Sequence, residues 1–279
     1  MSIKIITDST SDIGLAEARS LGISVVLLKT VFEDGEYLDG VDLTAEEFYK
    51  KQAEAKQLPT TTQPTPADFE DVYRNALEDE DDDIIAILIS EKLSGTFQSA
   101  TIAKQSFDRN IYIVDSGTTT IGLRILVERA VYLRNQGLKT KEVVDILEKE
   151  KSSIRLYAYV DTLEYLQKGG RLSKGAAFAG TLLNVKPLIS LADGTLHACG
   201  KARGIKKAYS QVIELANADG IDFSRPTCLG YTGDPTPFQP FKDLVCQTYN
   251  NKITLTSTIG SVVGAHAGPG AAAIAFFKK

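Results

Sequence analysis

The segment IIAILI, Ile84 to Ile89, constrains the fold more than any other stretch of this 279-residue chain. An unbroken aliphatic run leaves no polar face, so such a strand belongs in a sheet covered by helices on both sides. Similar runs surround it: IKIIT near the start, ISVVLL at Ile23 to Leu28, and NIYIVD at Asn110 to Asp115. Helix signals lie between them. Thr44-Ala45-Glu46-Glu47 has the spacing in which hydroxyl and carboxylate satisfy first-turn amides. Thr65-Pro66-Ala67-Asp68 puts proline where its missing N–H costs nothing. EDGEYLDG reads as a tight hairpin or excursion around Asp34-Gly35. A helical stretch from about Ile121 to Glu150, interrupted near Gly137, closes the series. The alternation predicts the α/β class, with an N-terminal domain, residues 1–153, on a doubly wound, mostly parallel sheet.

The second half reads differently. IRLYAYV is strand-like, and Asp193-Gly194 marks a hairpin between KPLISL and TLHACGKARG. A helix (Lys206 to Asn217), the strand TCLGYT, a helix (Phe238 to Tyr249) and the strand KITLTSTIG follow. Residues 154–279 are expected to form an α+β domain with a mixed or antiparallel sheet. Charge divides the same way: residues 1–150 carry −12 and residues 151–279 carry +7, within a net charge of −5. EDEDDD, Glu78 to Asp83, supplies half of the acidic excess and suits a solvated helix end.

Several function classes drop out. Cys199, Cys228 and Cys246 form no CxxC pair, which fits a reducing cytosol rather than a disulfide framework or structural zinc. No apolar run approaches the ~20 residues of a membrane helix, and the start lacks the features of a signal peptide. A cytoplasmic location is expected. There is no GxxxxGK[ST], GxSxG or HExxH; GPGAAA matches a dinucleotide fingerprint but has no acidic residue after it. No cofactor and no metal are expected, and no catalytic residue is assigned.

What remains is a set of hydroxyl-rich segments where parallel strands are expected to end: TDSTSD, PTTTQPTP, SEKLSGT and DSGTTT. In doubly wound sheets ligands bind there, beside helix N-termini that favour anions. Ordinary N-capping explains such residues equally well; KLSGT and TTTQPTP hold more hydroxyls than a cap requires. Near the C-terminus, His266 sits among glycines and alanines in IGSVVGAHAGPGA. The ring either fills a gap in the core, or the backbone is cleared so that a ligand reaches it.

TDSTSD, TTTQPTP, ISEKLSGTFQSA, VDS, LEYLQKGGRLS, VKPLISLADG, KARGIKKA and IGSVVGAHAGPGA occur in the order seen in the DegV family, which the chain resembles over essentially its whole length. These are bacterial fatty-acid-binding proteins, called FakB when they serve a fatty acid kinase. The resemblance implies a two-domain fold with a long-chain fatty acid between the domains. It also implies a partner, an ATP-binding kinase subunit that converts the presented carboxylate to an acyl phosphate. The chain itself is then a binding subunit, not an enzyme. Its carboxylate anchors would fall on Thr61, with Thr62 where serine is usual, on Ser94 and on His266, helped by backbone amides at Gly95 and Thr96. Glu91 replaces the usual second serine of the SSKLSG pattern.

A buried methylene contributes roughly 0.8 kcal/mol, so the acyl tail outweighs any single hydrogen bond to the head group. Slot walls are sought in GAAFAGTLL, VKPLISL and AIAFF, at Phe178, Leu182, Leu188, Ile189 and Ile274, each of which serves equally well as plain core. Arg171, Lys174, Lys201 and Arg203 lie in a basic span from Lys168 to Lys207 and suit docking of an acidic kinase surface. Nucleic acid is the other reading of a basic patch, disfavoured by a sequence pI near 5.3. Transient contact with a membrane surface stays open. So do two other classes: a lipid sensor or transfer protein without a kinase, and a self-sufficient phosphoryl- or acyl-transferase.

Overall fold

The structure is a computed structural model that describes residues 2–79, 82–172 and 184–279. In the first half, β1 (Ile3–Asp8), α1 (Leu15–Leu21), β2 (Ile23–Val26), β3 (Lys29–Phe32), β4 (Gly35–Leu38) and α2 (Ala45–Glu54) come first. They are followed by β5 (Thr60–Thr62), α3 (Pro66–Ala76), β6 (Asp83–Leu88), α4 (Thr96–Lys104), β7 (Ile111–Asp115), α5 (Thr120–Asn135) and α6 (Thr140–Glu150). The second half holds β8 (Ile154–Tyr159), α7 (Glu164–Lys168), β9 (Val185–Ala192), β10 (Thr195–Arg203), α8 (Ile205–Asp219) and β11 (Cys228–Tyr231). It ends with α9 (Gln239–Thr248), β12 (Leu255–Thr258), α10 (Ser261–Ala267) and β13 (Ala272–Phe277).

A four-stranded parallel sheet in the order β2-β1-β6-β7 forms the first half, and every residue of β6 is buried, as the apolar run from Ile84 onward requires. The Asp34-Gly35 signal becomes the β3–β4 hairpin. TTTQPTP departs from its expected place: Thr60–Thr62 is not a loop after a parallel strand but an antiparallel strand on β3, with Thr61 opposite Thr30. Both expected helix starts form, with Thr44 and Thr65 in reciprocal capping boxes with Glu47 and Asp68.

The second sheet has the order β10-β9-β8-β13-β11-β12 and is antiparallel except between β11 and β12. AIAFF belongs to β13, which lies between β8 and β11. One helix joins the halves. The first half of α5 is buried all round, with Ile121, Leu123, Ile125, Leu126 and Val127 fully buried. It packs against β1 and β6 of one sheet and β8, β11 and β13 of the other, so both sheets share one core cluster. The other face of the second sheet is covered by α8 and α9, and the outer face of the parallel sheet by α3 and α4. Among the described residues, no helix is long and apolar enough to cross a membrane.

Candidate functional site at the junction of the two sheets

A cavity of about 150 Å³ lies between the inner face of the six-stranded sheet, α10 and the loops that follow β6 and β7. Its floor comes from alternate residues of neighbouring strands: Leu156 and Ala158 on β8, Ile189 and Leu191 on β9, Leu196 on β10 and Ala273 on β13. That alternation corrects two expectations. Leu188 and Ile274 face away from the cavity into the core beneath α8 and α9, because neighbouring residues of a strand point to opposite faces. Ile189, next to Leu188, does line the cavity. Phe178 and Leu182, also sought as slot walls, and Lys174 lie outside the described residues.

The polar mouth draws on four distant segments. β5 brings Thr61 and Thr62, and Gln63 follows directly; the loop after β6 brings Ser94 and Gly95; α10 brings His266; the turn after α7 brings Arg171. Thr61 Oγ1 and His266 Nε2 lie 3.0 Å apart across 205 residues of sequence. Ser94 Oγ is 2.9 Å from Thr96 Oγ1. Thr96 itself is fully buried at the start of α4 and is not among the cavity-lining residues. Glu91, the departure from the SSKLSG pattern, is exposed and outside the wall.

Gln63, to which the sequence reading assigned no role, donates from Nε2 to Ser99 Oγ at 3.1 Å. Its carboxamide lies so close over Gly95 that a Cβ there would meet Oε1 at 2.0 Å. The Gln63 side chain thus rests on Gly95 at the start of α4, and a larger residue there would displace it from its place beside Ser99. Arg171, expected at a partner-facing rim, instead forms part of the cavity wall. Its guanidinium donates to the Leu93 carbonyl at 3.2 Å and the Gly169 carbonyl at 2.7 Å. Arg203 is exposed at the far end of β10. Leu172, beside Arg171, bridges to Leu196 near the start of that strand, so the two arginines are separated by roughly 20 Å of strand rather than joined in one patch. Lys201 is exposed on the same strand.

The setting of His266 decides between the two readings of its glycine-rich neighbourhood. A Cβ on Gly264 would meet the Tyr49 hydroxyl at 2.5 Å and Phe48 at 2.9 Å. On Gly268 it would meet the Tyr165 ring at 2.4 Å. These glycines let α10 pack against α2 and α7. The ring itself still lines the cavity. Burial first, and the Arg171 charge second, push its pKa down to about 4, so the imidazole is neutral at pH 7. Among the described residues its Nδ1 has no hydrogen-bond partner.

The other hydroxyl-rich loops divide. In TDSTSD, Asp8 accepts from Ile89 N at 2.8 Å and Thr10 N at 3.0 Å, and Ser9 Oγ accepts from Leu28 N at 3.1 Å. This loop stitches β1 to β6 and to the chain after β2, and no residue of it lines the cavity. In DSGTTT, Thr119 and Thr120 at the start of α5 do line it. Among the described residues, no group of three His, Cys, Asp or Glu side chains is placed to hold a metal ion.

An apolar cavity closed at one end by hydroxyls, a carboxamide, an imidazole and a guanidinium suits a long apolar molecule with an acidic end. The model of the family described as uncharacterised protein, DegV family, matches residues 2–279. The chain belongs to the DegV family. A DegV domain-containing protein of Caldanaerobacter subterraneus is 38% identical over 283 residues, covering 99% of each chain. A fatty acid-binding protein of Thermotoga maritima is 30% identical over 276 residues, covering 97% of this chain and 96% of its own. Among solved structures, a DegV family protein of Thermus thermophilus described for its fatty acid binding superposes with a TM-score of 0.90 at 34% identity, each chain fully covered. A stearic acid-binding protein of Eubacterium ventriosum superposes at 0.89 with 27% identity, covering 100% of this chain and 99% of its own.

Proposed function

We propose that this chain binds one long-chain fatty acid in the cavity and presents its carboxylate at the mouth formed by Thr61, Thr62, Ser94, Gly95 and His266, with Gln63 and Arg171 beside them. The observation that carries this reading is the division of the cavity wall. The floor is Leu156, Ala158, Ile189, Leu191, Leu196 and Ala273, and polar side chains gather at the end where His266 meets Thr61. Each buried methylene adds roughly 0.8 kcal/mol, so the floor supplies affinity while the mouth sets which end of the molecule faces out. A carboxylate suits this mouth, because Arg171 supplies positive charge and the hydroxyls, carboxamide and one imidazole N–H supply donors.

The finer reading is that of a FakB-type subunit. The exposed carboxylate is offered to an ATP-dependent fatty acid kinase subunit, which forms the acyl phosphate for phospholipid synthesis, and the basic residues Arg203 and Lys201 face that partner. The resemblance of the ordered motifs and the positive charge of the second half support it. In this reading the chain contributes binding and orientation but no catalytic group.

Mass spectrometry of the organic extract of natively purified protein tests the first step. A stoichiometric long-chain fatty acid supports the carrier; an empty extract, with failure to take up added palmitate or oleate, overturns it. Acyl-phosphate formation with a fatty acid kinase subunit and ATP tests the second step. Activity without the kinase would point to a self-sufficient transferase, and lipid binding with neither activity nor complex formation to a sensor or transfer protein. If Arg203→Glu leaves kinase coupling intact with lipid still bound, the docking role of that residue falls.

A further inference from the structure

The ring of His266 is held from two sides that differ in chemistry. On one side Nε2 lies 3.0 Å from Thr61 Oγ1. On the other, the ring edge that carries Nδ1 rests on Gly169, the residue that closes α7. A Cβ built on that glycine would overlap Nδ1 and stand 3.0 Å from Cε1. Among the described residues the buried Nδ1 has no hydrogen-bond partner. Gly169 is itself fixed in place. Its N–H donates to the Tyr165 carbonyl at 2.9 Å, and its carbonyl accepts from the Arg171 guanidinium at 2.7 Å.

A neutral imidazole carries one proton, and the tautomer follows from what each ring nitrogen meets. Burial, and after it the Arg171 charge, keep this ring neutral at pH 7. A proton on Nδ1 would drive an N–H against the hydrogen of the Gly169 Cα and leave a buried donor unpaired. It would also make Nε2 an acceptor, so that Thr61 spent its only O–H on the ring. A proton on Nε2 reverses both conditions. Nε2–H then donates to Thr61 Oγ1, and the bare Nδ1 accommodates the glycine. The Thr61 hydroxyl keeps its own proton, which matters because an ionised carboxylate only accepts.

We propose that Gly169 is a positioning residue of the head-group site: by covering the Nδ1 edge of His266 it fixes the tautomer protonated at Nε2, which leaves the Thr61 hydroxyl free to donate to a carboxylate. The inference rests on the fatty-acid reading above and names what orients the donors at the mouth.

The test compares two neighbouring glycines in full-length protein labelled with nitrogen-15 at histidine. Gly169 has φ −75°, which alanine adopts freely, so Gly169→Ala adds the Cβ against the ring and little else. Gly170 has φ +71° with nothing within 4 Å of its Cβ position, so Gly170→Ala strains the same turn without touching His266. Nitrogen NMR of the ring at pH 7 is expected to show the proton on Nε2 in the unmodified protein, the His197 signal being identified by its loss in His197→Gln. Gly169→Ala should lose that signature and bind oleate about tenfold more weakly, measured by displacement of a fluorescent fatty acid after delipidation. Gly170→Ala should keep the ring signature. A proton on Nδ1 in the unmodified protein overturns the proposal, even if the alanine variant does not fold. So does a Gly169→Ala protein that retains both signature and affinity, or an equal loss of signature in Gly170→Ala. If the unmodified protein takes up no oleate, the fatty-acid reading fails whichever nitrogen carries the proton.

Discussion

The loop after β1 and the loop after β6 look alike in sequence, TDSTSD and SEKLSGT, and both follow a buried parallel strand. Their polar groups end in opposite conditions. Asp8, Ser9 and Thr10 are spent on amides and hydroxyls of the protein itself, away from the cavity. Ser94 and Gly95 stand in the cavity wall beside Thr61 and a His266 whose Nδ1 is unpaired among the described residues. A hydroxyl-rich loop becomes a stitch or a site according to whether the rest of the fold brings partners to it. Desolvation sharpens the contrast. Burial pushes the Asp8 and Asp12 carboxyls up to about 6 and about 7, whereas it pushes His266 down to about 4.

The largest effect that would break this comparison lies at the stitch. Asp8→Ala removes the acceptor of the Ile89 and Thr10 amides and strands them in a dry interior. A loss on the order of 3 kcal/mol of folding stability is expected, read by urea denaturation. A loss under about 1 kcal/mol would make that loop as dispensable as a surface cap.

Asp12 comes next. Its folded pKa lies above the unfolded value, so the folded state holds the proton more tightly, and stability falls as pH rises through the interval from about 4 to about 7. Asp12→Asn has no charge to bury. Its stability relative to the unmodified protein should therefore improve by about 2–3 kcal/mol between about pH 5 and about pH 8. A pH-independent difference in paired thermal melts would contradict a buried, raised carboxyl.

At the mouth the expected effects fall on ligand and not on folding. His266→Ala should weaken fatty acid retention about tenfold, the scale of one charge-assisted hydrogen bond. The unmodified imidazole should titrate near 4 without ligand and higher once a carboxylate sits beside it, as proton NMR of the ring would show. Equal titration in the loaded and empty protein would remove His266 from the head-group site. Ser94→Ala gives the smallest change, about three- to fivefold in affinity. A larger loss there than at His266 would move the centre of the site towards α4.

Much of this arrangement was legible in the chain. IIAILI demanded burial on both faces and received it; the capping signals at Thr44 and Thr65, the hairpins at Asp34-Gly35 and Asp193-Gly194, and the change from a parallel to a mainly antiparallel sheet all follow from local rules. Thr61, Thr62, Ser94, Gly95 and His266 come together in the cavity wall, while Thr96 stays outside it. Strand alternation in VKPLISL already puts Leu188 and Ile189 on opposite faces of the sheet. No local signal places Arg171 or Gln63 in the wall, because both arrive there through contacts with distant segments, Leu93 and Ser99.

Local chemistry, set by residues within a few positions of one another, determined the strands, the caps and the turns. Which hydroxyls stay free was decided only when α5 was buried between two sheets and α10 was packed on α2. Satisfaction of a polar group depends on what lies within about 3 Å of it in space. For His266 that neighbour is Thr61, 205 residues away in the chain, so the difference between a stitch and a site exists only in the folded molecule.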